Sequence, residues 1–270
     1  MLLTDERTGI KYRRWETTSP KAVLLLVHGL GAHSDRWTFL AEFLLDKDIS
    51  LYAIELKGFG EEKGLKGHIN TFDIYYADIL RLREIISSEN PGKKIFLLGE
   101  SLGALVSFIL ADRKVGLFDG LICISPAFSN RMKFSFLDYI KIFFAMLFSS
   151  QKQFRMPFDT TMCTRDQQYR DVMDADEREH RLATARLLYN TFMAQIRIKI
   201  LGSRVTDPVL FLISGEDKLV SPEASENVFA KLKSNDKNFI FYPDMYHSLS
   251  VDSGREQVFE DILEWVRERV

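Results

Sequence analysis

The 270-residue chain has little of several features that define other classes of protein. It contains only two cysteines, Cys123 and Cys163, which are too few for a disulfide framework and lack the spacing of a metal site. Its formal net charge of −2 gives no general attraction to nucleic acid. Its first residues become charged at once, so we expect no signal peptide. Since no apolar run reaches the ~18 residues of a spanning helix, we expect a cytoplasmic protein.

Short apolar runs alternate along the chain with longer amphipathic segments. Ala22–Val27 is the densest of these runs, and a run that is apolar on both faces suits a strand buried in a parallel sheet. The more polar stretch Ile10–Trp15 predicts a strand at the edge of that sheet. Further buried strands are predicted at Leu51–Glu55, Ile95–Leu98, Leu121–Ile124, Val209–Ile213 and Phe239–Tyr242.

Helical periodicity occupies the segments between these runs. From Phe72 to Ile86 apolar residues follow the helical repeat, and Asn70 or Thr71 is suited to cap the start of that helix. Leu102–Leu110 is apolar almost all round, which predicts a buried helix. The alternation of strands and helices predicts an α/β fold with a mostly parallel, doubly wound sheet.

This alternation breaks between positions 126 and 208, where the sequence is helical in character and shows no clear strand. We therefore predict a core formed by residues 1–126 and 206–270. Residues 127–205 are predicted to form an inserted helical cap, or lid, over the ends of the strands.

The most apolar part of the predicted insertion is Phe134–Phe148, where Asp138 and Lys141 are the only charged residues. Two interpretations remain open. The segment is either buried against the core or exposed as a lipid-facing surface, which would bring the protein to the periphery of a membrane.

Gly99-Glu100-Ser101-Leu102-Gly103 matches the pattern G-x-S-x-G. The match alone is weak, but a predicted strand precedes it and a predicted helix follows it, as a nucleophile elbow requires. Such a sharp turn strains the serine backbone, and side chains at the glycine positions would collide with neighbouring backbone. The helix N-terminus would favour negative charge developing near the Ser101 hydroxyl. Ser101 is the predicted nucleophile; the alternative is an ordinary turn with a serine N-cap.

A serine hydroxyl is a poor nucleophile until a base accepts its proton, and the chain offers five histidines. His247 lies between the last predicted strand and a final helix, which the amphipathic stretch Val258–Val266 predicts, in a loop at the carboxyl edge of the sheet. The order serine, acid, histidine is also the order expected after such an elbow. His247 is therefore the predicted base, whereas His28 is predicted to shape the first glycine loop through hydrogen bonds.

The base needs a buried acid that fixes its tautomer and stabilises the imidazolium. Asp217 follows the predicted strand Val209–Ile213 in another loop at the carboxyl edge, and it is the predicted acid. Spacing does not distinguish it from the adjacent Glu216. Asp244 and Asp252 are closer to His247 in sequence, but a triad is assembled by the fold and not by sequence proximity.

Acyl transfer also needs N–H donors aimed at the developing oxyanion. The N–H of Leu102, directly after Ser101, is one predicted donor. We expect the second from the loop His28-Gly29-Leu30-Gly31, with Leu30 as the donor residue. The alternative is a tight glycine turn without a catalytic use.

Together these motifs resemble the monoacylglycerol lipase and lysophospholipase branch of the α/β-hydrolases, which is grouped with S33-type serine aminopeptidases. The resemblance extends over nearly the whole chain. It rests on His28–Ser34 with Arg36, Gly99–Gly103, Met173–Asp176, Ser214–Asp217 and Tyr246-His247.

The resemblance implies the α/β-hydrolase fold, a helical cap over the pocket, and a serine esterase. It implies a small-molecule, lipid-like ester with one acyl chain as substrate, such as a monoacylglycerol or a lysophospholipid. It further implies Ser101, Asp217 and His247 as the triad, Leu30 and Leu102 as the oxyanion hole, and no metal or cofactor.

The chain departs from that branch at a few positions. Glu55 and Glu61 occupy a loop in which the branch usually has Asp and Ser, so we expect different local packing there. Glu100 occupies the elbow position at which many relatives have histidine or another residue.

Two other functions are compatible with these residues. The same triad can cleave an amide, peptide or thioester, and an aminopeptidase would need an anionic pocket for the substrate amine. A hydrolase-like receptor would not be an enzyme, but such proteins often lack a member of the triad, and here none is missing. We predict no nucleic-acid partner, and the sequence leaves the oligomeric state open.

Overall fold

The computed structural model describes residues 1–132, 134–201 and 203–270, so positions 133 and 202 of the predicted insertion lie outside the described residues. The strands are β1 Leu2–Thr4, β2 Lys11–Trp15, β3 Ala22–Val27, β4 Ile49–Glu55, β5 Lys94–Glu100, β6 Gly120–Ile124, β7 Gln153–Arg155, β8 Leu182–Thr184, β9 Val209–Ser214 and β10 Lys237–Tyr242. The main sheet has the order β1-β2-β4-β3-β5-β6-β9-β10, and β7 pairs with β8 in a separate sheet.

Helices connect these strands. They are a 3₁₀ turn Ser34–Trp37, α1 Thr38–Leu45, α2 Phe72–Glu89, α3 Leu102–Arg113, α4 Phe136–Phe148, α5 Thr160–Cys163, α6 Gln167–Ala175, α7 Ala185–Leu201, α8 Pro222–Ala230 and α9 Arg255–Arg267. Of the two predicted caps of α2, Asn70 and Thr71, the structure uses Thr71, whose side chain accepts a hydrogen bond from the N–H of Asp73.

The strands from β4 to β10 in the main sheet are all parallel, which confirms the predicted α/β fold. Successive residues of β3 face opposite sides of the sheet. Val23 and Leu25 join a core cluster with α2 and α3, whereas Leu24 and Leu26 join a second cluster with α1 and α9. Helices therefore cover both faces, which explains why this strand is apolar at every position.

The expectation of an edge strand at Ile10–Trp15 is wrong in one respect. The strand β2 exists, but β1 pairs with it on the outer side and β4 on the inner side, both antiparallel. The edge strand β1 has only three residues. A strand this short carries too little of an alternating pattern to be recognised in the sequence.

The expectation that the segment from 126 to 208 has no strand is also wrong. The segment contains α4 to α7, but β7 and β8 pair antiparallel within it. Each of these strands has three residues, and paired residues are about 27 or more positions apart in the sequence. No local sequence pattern therefore predicts them. The division of the chain into a core and a cap comprising residues 127–205 stays a prediction.

Most of α4 is exposed, so burial of this helix against the core is the wrong interpretation. Within α4 only Ala145 is buried, while Phe136 and Phe148 are 78% and 81% exposed. Phe144 and Leu147 are also more than half exposed. Among the described residues, no helix has both the length and the apolar character that crossing a membrane requires.

Candidate active site

The turn from β5 to α3 holds Ser101 in a strained conformation, with φ 56° and ψ −117°. A Cβ atom on Gly99 would lie 2.5 Å from the backbone of Gly103, and one on Gly103 would collide with the carbonyl oxygen of Val27. The Ser101 N–H donates a hydrogen bond to the Ile124 carbonyl at 2.9 Å, which fixes the turn against β6. Close backbone packing therefore explains both glycines.

His247 bridges the serine and the acid predicted from sequence. Its Nε2 lies 2.8 Å from Ser101 Oγ, and its Nδ1 lies 2.6 Å from Asp217 Oδ2. Because an ionised carboxylate only accepts hydrogen bonds, Nδ1 carries the proton and Nε2 presents a lone pair to the hydroxyl. The ring is therefore in the tautomer that can accept the serine proton.

The Asp217 side chain is fixed by the loop that carries it. Its Oδ1 accepts hydrogen bonds from the N–H groups of Leu219 and Val220 at 2.8 and 2.9 Å, which leaves Oδ2 for His247. The neighbouring Glu216 is exposed. Asp217, and not Glu216, is thus the acid in contact with the histidine.

Two opposing influences act on the pKa of His247. Burial lowers it, but the charge and hydrogen bond of Asp217 outweigh burial, and Glu100 acts in the same direction as Asp217. Their net effect raises the pKa of His247 above its ordinary value. The surroundings therefore stabilise the imidazolium, the form that a base adopts after it has accepted a proton.

The glycine loop after β3 lies against Ser101, since a Cβ atom on Gly29 would be 3.2 Å from the serine Cβ. The N–H of Leu102 is in the first turn of α3 and so has no partner within that helix. Leu30 and Leu102 line the same cavity as Ser101 and His247. The two predicted oxyanion donors thus belong to the segments that flank the serine.

His28 holds the glycine loop in place. Its Nδ1–H donates to the Gly29 carbonyl at 2.9 Å, and its Nε2 accepts the Leu56 N–H at 3.1 Å. Burial lowers the pKa of His28, which favours the neutral ring that these two contacts require. On the other side of the loop, the Gly31 carbonyl accepts a hydrogen bond from the N–H of His180.

The departure at Glu55 has a local structural role. Its buried carboxylate accepts hydrogen bonds from the N–H groups of Ser34 and Glu61, at 2.7 and 2.6 Å. It therefore joins the loop after β4 to the 3₁₀ turn that follows the glycine loop. Glu61 itself is partly exposed and pairs with the buried Arg13.

A cavity of about 760 Å³ opens beside Ser101 and His247. This volume falls in the usual range for sites that enclose small molecules, ~300–1,000 Å³. Much of its wall comes from the segment between β6 and β9 and is apolar, with contributions from Met132, Phe134, Phe143, Leu147, Phe158 and Leu188. The cavity can thus hold a long apolar group with one end near the serine.

Sequence reasoning did not find the buried ionic contacts around this site. Arg36 forms a bidentate pair with Glu179, whose closest contacts are 2.5 and 2.6 Å. Asp252 and Glu100 accept hydrogen bonds from distant segments of the chain. Arg36, Glu100 and Asp252 were each noted in the sequence, but their partners were not, because contacts between residues more than 80 positions apart leave no local pattern.

A serine at a strained strand-to-helix turn, in contact with a buried histidine above a mostly parallel sheet, defines a serine hydrolase of the α/β-hydrolase fold. The chain belongs to the family described as "Serine aminopeptidase, S33", whose model matches residues 18–254.

Known proteins of similar sequence and structure include several lipases. The chain is 26% identical to human monoglyceride lipase over 262 residues, which cover 95% of this chain and 86% of that protein. It superposes on the crystal structure of Paleococcus ferrophilus monoacylglycerol lipase with a TM-score of 0.85 at 25% identity, covering 97% and 99% of the two chains. A soluble variant of the Saccharomyces cerevisiae monoglyceride lipase gives a TM-score of 0.84 at 19% identity, with coverage of 100% and 95%.

Proposed function

We propose that Ser101, His247 and Asp217 form a catalytic triad that hydrolyses carboxylic esters through an acyl-enzyme. The observation that carries this proposal is the pair of contacts made by His247, 2.8 Å to Ser101 Oγ and 2.6 Å to Asp217 Oδ2. Both histidine and aspartate are nearly inaccessible to solvent, so water competes little with these contacts.

In this mechanism, Ser101 Oγ attacks the ester carbonyl carbon while His247 Nε2 accepts the hydroxyl proton. The N–H groups of Leu30 and Leu102 stabilise the oxyanion of the tetrahedral intermediate. His247 then gives its proton to the leaving alcohol, and the acyl group stays on the serine. In the second half, His247 takes a proton from water, the resulting attack releases the acid, and Ser101 regains its proton. No metal or cofactor takes part in these steps.

The proposed substrate is a lipophilic ester with one acyl chain, with a monoacylglycerol as the first choice and a lysophospholipid as the second. Its support is the large apolar cavity beside Ser101 and the similarity to proteins named monoglyceride lipase. The acyl chain would occupy the apolar part of the cavity, which excludes water from it.

Hydrolysis of a monoacylglycerol by wild type and Ser101→Ala tests the catalytic proposal. We expect release of fatty acid by the wild type only, and labelling by a fluorophosphonate probe only where Ser101 is present. Equal activity in both proteins would contradict the role of Ser101. A lysophospholipid, an aminoacyl anilide and an acyl thioester measured alongside would separate the lipase from the other activities that the same triad supports.

We also propose that residues 127–205 form a cap whose helix α4 contacts a lipid bilayer. The support is the row of exposed aromatic side chains on α4, together with Phe143 and Leu147, which lie on the same helix and line the cavity. A bilayer on this helix would cover apolar surface at the cavity that is proposed to hold the acyl chain.

Sedimentation with phosphatidylcholine vesicles tests this contact. The variant Phe144→Ser/Phe148→Ser removes two exposed rings that do not line the cavity, and we expect it to bind vesicles less than wild type. Phe241→Ser is the matched control, because Phe241 is 47% exposed on β10 of the core sheet. Equal binding by all three proteins would contradict the proposed contact.

A further inference from the structure

Glu100 is a buried acid next to the proposed nucleophile. It is the last residue of β5, directly before Ser101, and the residue is 2% exposed. It lines the same cavity as Ser101 and His247. A carboxyl group that is this inaccessible is unfavourable unless specific partners compensate it, so its contacts indicate what it does.

Both carboxylate oxygens of Glu100 contact Ser250. Oε1 accepts the Ser250 backbone N–H at 3.1 Å, and Oε2 accepts the Ser250 hydroxyl at 2.9 Å. Ser250 lies three residues after His247 in the same loop. The elbow that carries the nucleophile is therefore joined, through one side chain, to the loop that carries the base.

Among residues 1–132, 134–201 and 203–270, no lysine or arginine forms an ion pair with Glu100. Arg36, whose positive charge acts on Glu100, is already bound to Glu179 by a bidentate pair. In the part of the chain that the structure describes, the other titratable groups that interact with Glu100 are Cys163 of α5, Tyr169 of α6, and His247. Of these groups only His247 gains a positive charge during the proposed reaction.

Three charged groups act on the protonation of His247. Asp217 contacts the ring directly, Glu100 acts on it from the elbow, and Arg36 opposes both from the 3₁₀ turn after the glycine loop. Burial raises the pKa of Glu100 above its ordinary value, and Arg36, Ser250 and His247 offset only part of this increase. An imidazolium at His247 would therefore add to the stabilisation that Ser250 and Arg36 already give a carboxylate at Glu100.

We propose that Glu100 is a positioning residue for ester hydrolysis, which holds the His247 loop through Ser250 and stabilises the His247 imidazolium through its negative charge. This inference rests on the proposed triad. It adds a second carboxylate, outside the triad, that acts on the same histidine.

Glu100→Gln tests the role of the charge, because glutamine keeps the size of the side chain and can still contact both polar groups of Ser250. The measurement is the pH dependence of kcat/KM with a p-nitrophenyl ester, whose acid limb reports the free base. We expect the acid limb of Glu100→Gln to move to lower pH by roughly 0.5–1 unit relative to wild type. An acid limb at the wild-type position would overturn the electrostatic role.

Glu216→Gln is the matched control for this charge change. It removes a carboxylate of the same kind one residue from Asp217, but Glu216 is exposed and its charge is screened by solvent. We expect it to keep the wild-type acid limb. A shift as large as that of Glu100→Gln would mean that any nearby charge has this effect, and would overturn the specific role of Glu100.

Two further variants test the contact with Ser250. They can be measured even if Glu100→Gln does not fold. Ser250→Ala removes the hydroxyl donor, and Glu100→Asp keeps the charge on a shorter side chain. For both we expect kcat to fall several-fold with little change in KM, and the acid limb to stay close to that of wild type. Wild-type kcat in both would overturn the positioning role.

Ser101→Ala, assayed in parallel, separates this inference from the proposed function. If Ser101→Ala retains full activity, the triad proposal fails and the Glu100 proposal fails with it. If Ser101→Ala is inactive while Glu100→Gln has the wild-type pH profile, the triad stands and only the Glu100 proposal is lost.

Discussion

The Asp252 carboxylate accepts the backbone N–H of Arg165 at 2.6 Å, across 87 residues of sequence. The same carboxylate accepts the N–H of Tyr246 at 2.8 Å, directly before His247. Close by, the Ser248 N–H donates to the Cys163 carbonyl at 2.9 Å. Hydrogen bonds therefore join the loop that carries His247 to the segment between β6 and β9, through the residues directly before and after the histidine.

The first prediction concerns this fastening. Asp252→Asn replaces one carboxylate oxygen with an N–H₂ group. The buried N–H groups that donate to that oxygen then have no acceptor. We expect the free energy of unfolding to fall by about 1–3 kcal/mol and kcat/KM to fall with it. Urea unfolding and ester hydrolysis measure the two effects. Asp244→Asn, an exposed carboxylate three residues before His247, should change neither.

The second prediction concerns Asp217. Asparagine in its place keeps the size of the side chain but no longer fixes the tautomer of His247 or stabilises the imidazolium. We expect kcat for ester hydrolysis to fall by a factor on the order of 10⁴, with little change in KM. Glu216→Gln is the comparison, because that side chain is exposed and should lose less than half of its activity. Similar losses in both variants would contradict the assignment of the acid.

The third prediction concerns the glycines of the elbow. Gly103→Ala places a methyl group against the Val27 carbonyl oxygen in the centre of the sheet. We expect a loss of stability above about 3 kcal/mol, or no folded protein, because the backbone there cannot yield. Gly92→Ala is the control, because φ is positive there, at +74°, but an added Cβ atom would meet no other atom within 4 Å. This substitution should lower the free energy of unfolding by about 1–2 kcal/mol. Thermal unfolding compares the two.

The fourth prediction concerns acid stability. Burial lowers the pKa of His33 to about 4, and Arg178 and Arg36 add to this effect. An unfolded histidine binds its proton near pH 6.5, so between pH 4 and 6.5 the unfolded state holds more protons and stability rises with pH. His33→Gln should flatten the slope of unfolding free energy against pH in this window. Urea titrations at several pH values measure that slope, and an unchanged slope would contradict the prediction.

The sequence by itself determined the features that depend on local sterics and local burial. A strand covered on both faces must be apolar at every position, so β3 could be recognised without its neighbours. The glycines around Ser101 reflect collisions within a few residues of the turn and with one adjacent strand. The common location predicted for Ser101, Asp217 and His247 followed from the sheet, since the carboxyl ends of parallel strands share one edge.

Only the tertiary structure decided which residues from distant parts of the sequence come into contact. It put Asp217, and not Glu216, against His247, because the direction of a side chain in a loop depends on its packing. It exposed the aromatic rings of α4, whose composition suited burial equally well. It also joined Glu100 to Ser250, across 150 residues. A buried carboxylate and its donor leave no periodic pattern in the sequence, since their contact depends on the path of the chain between them.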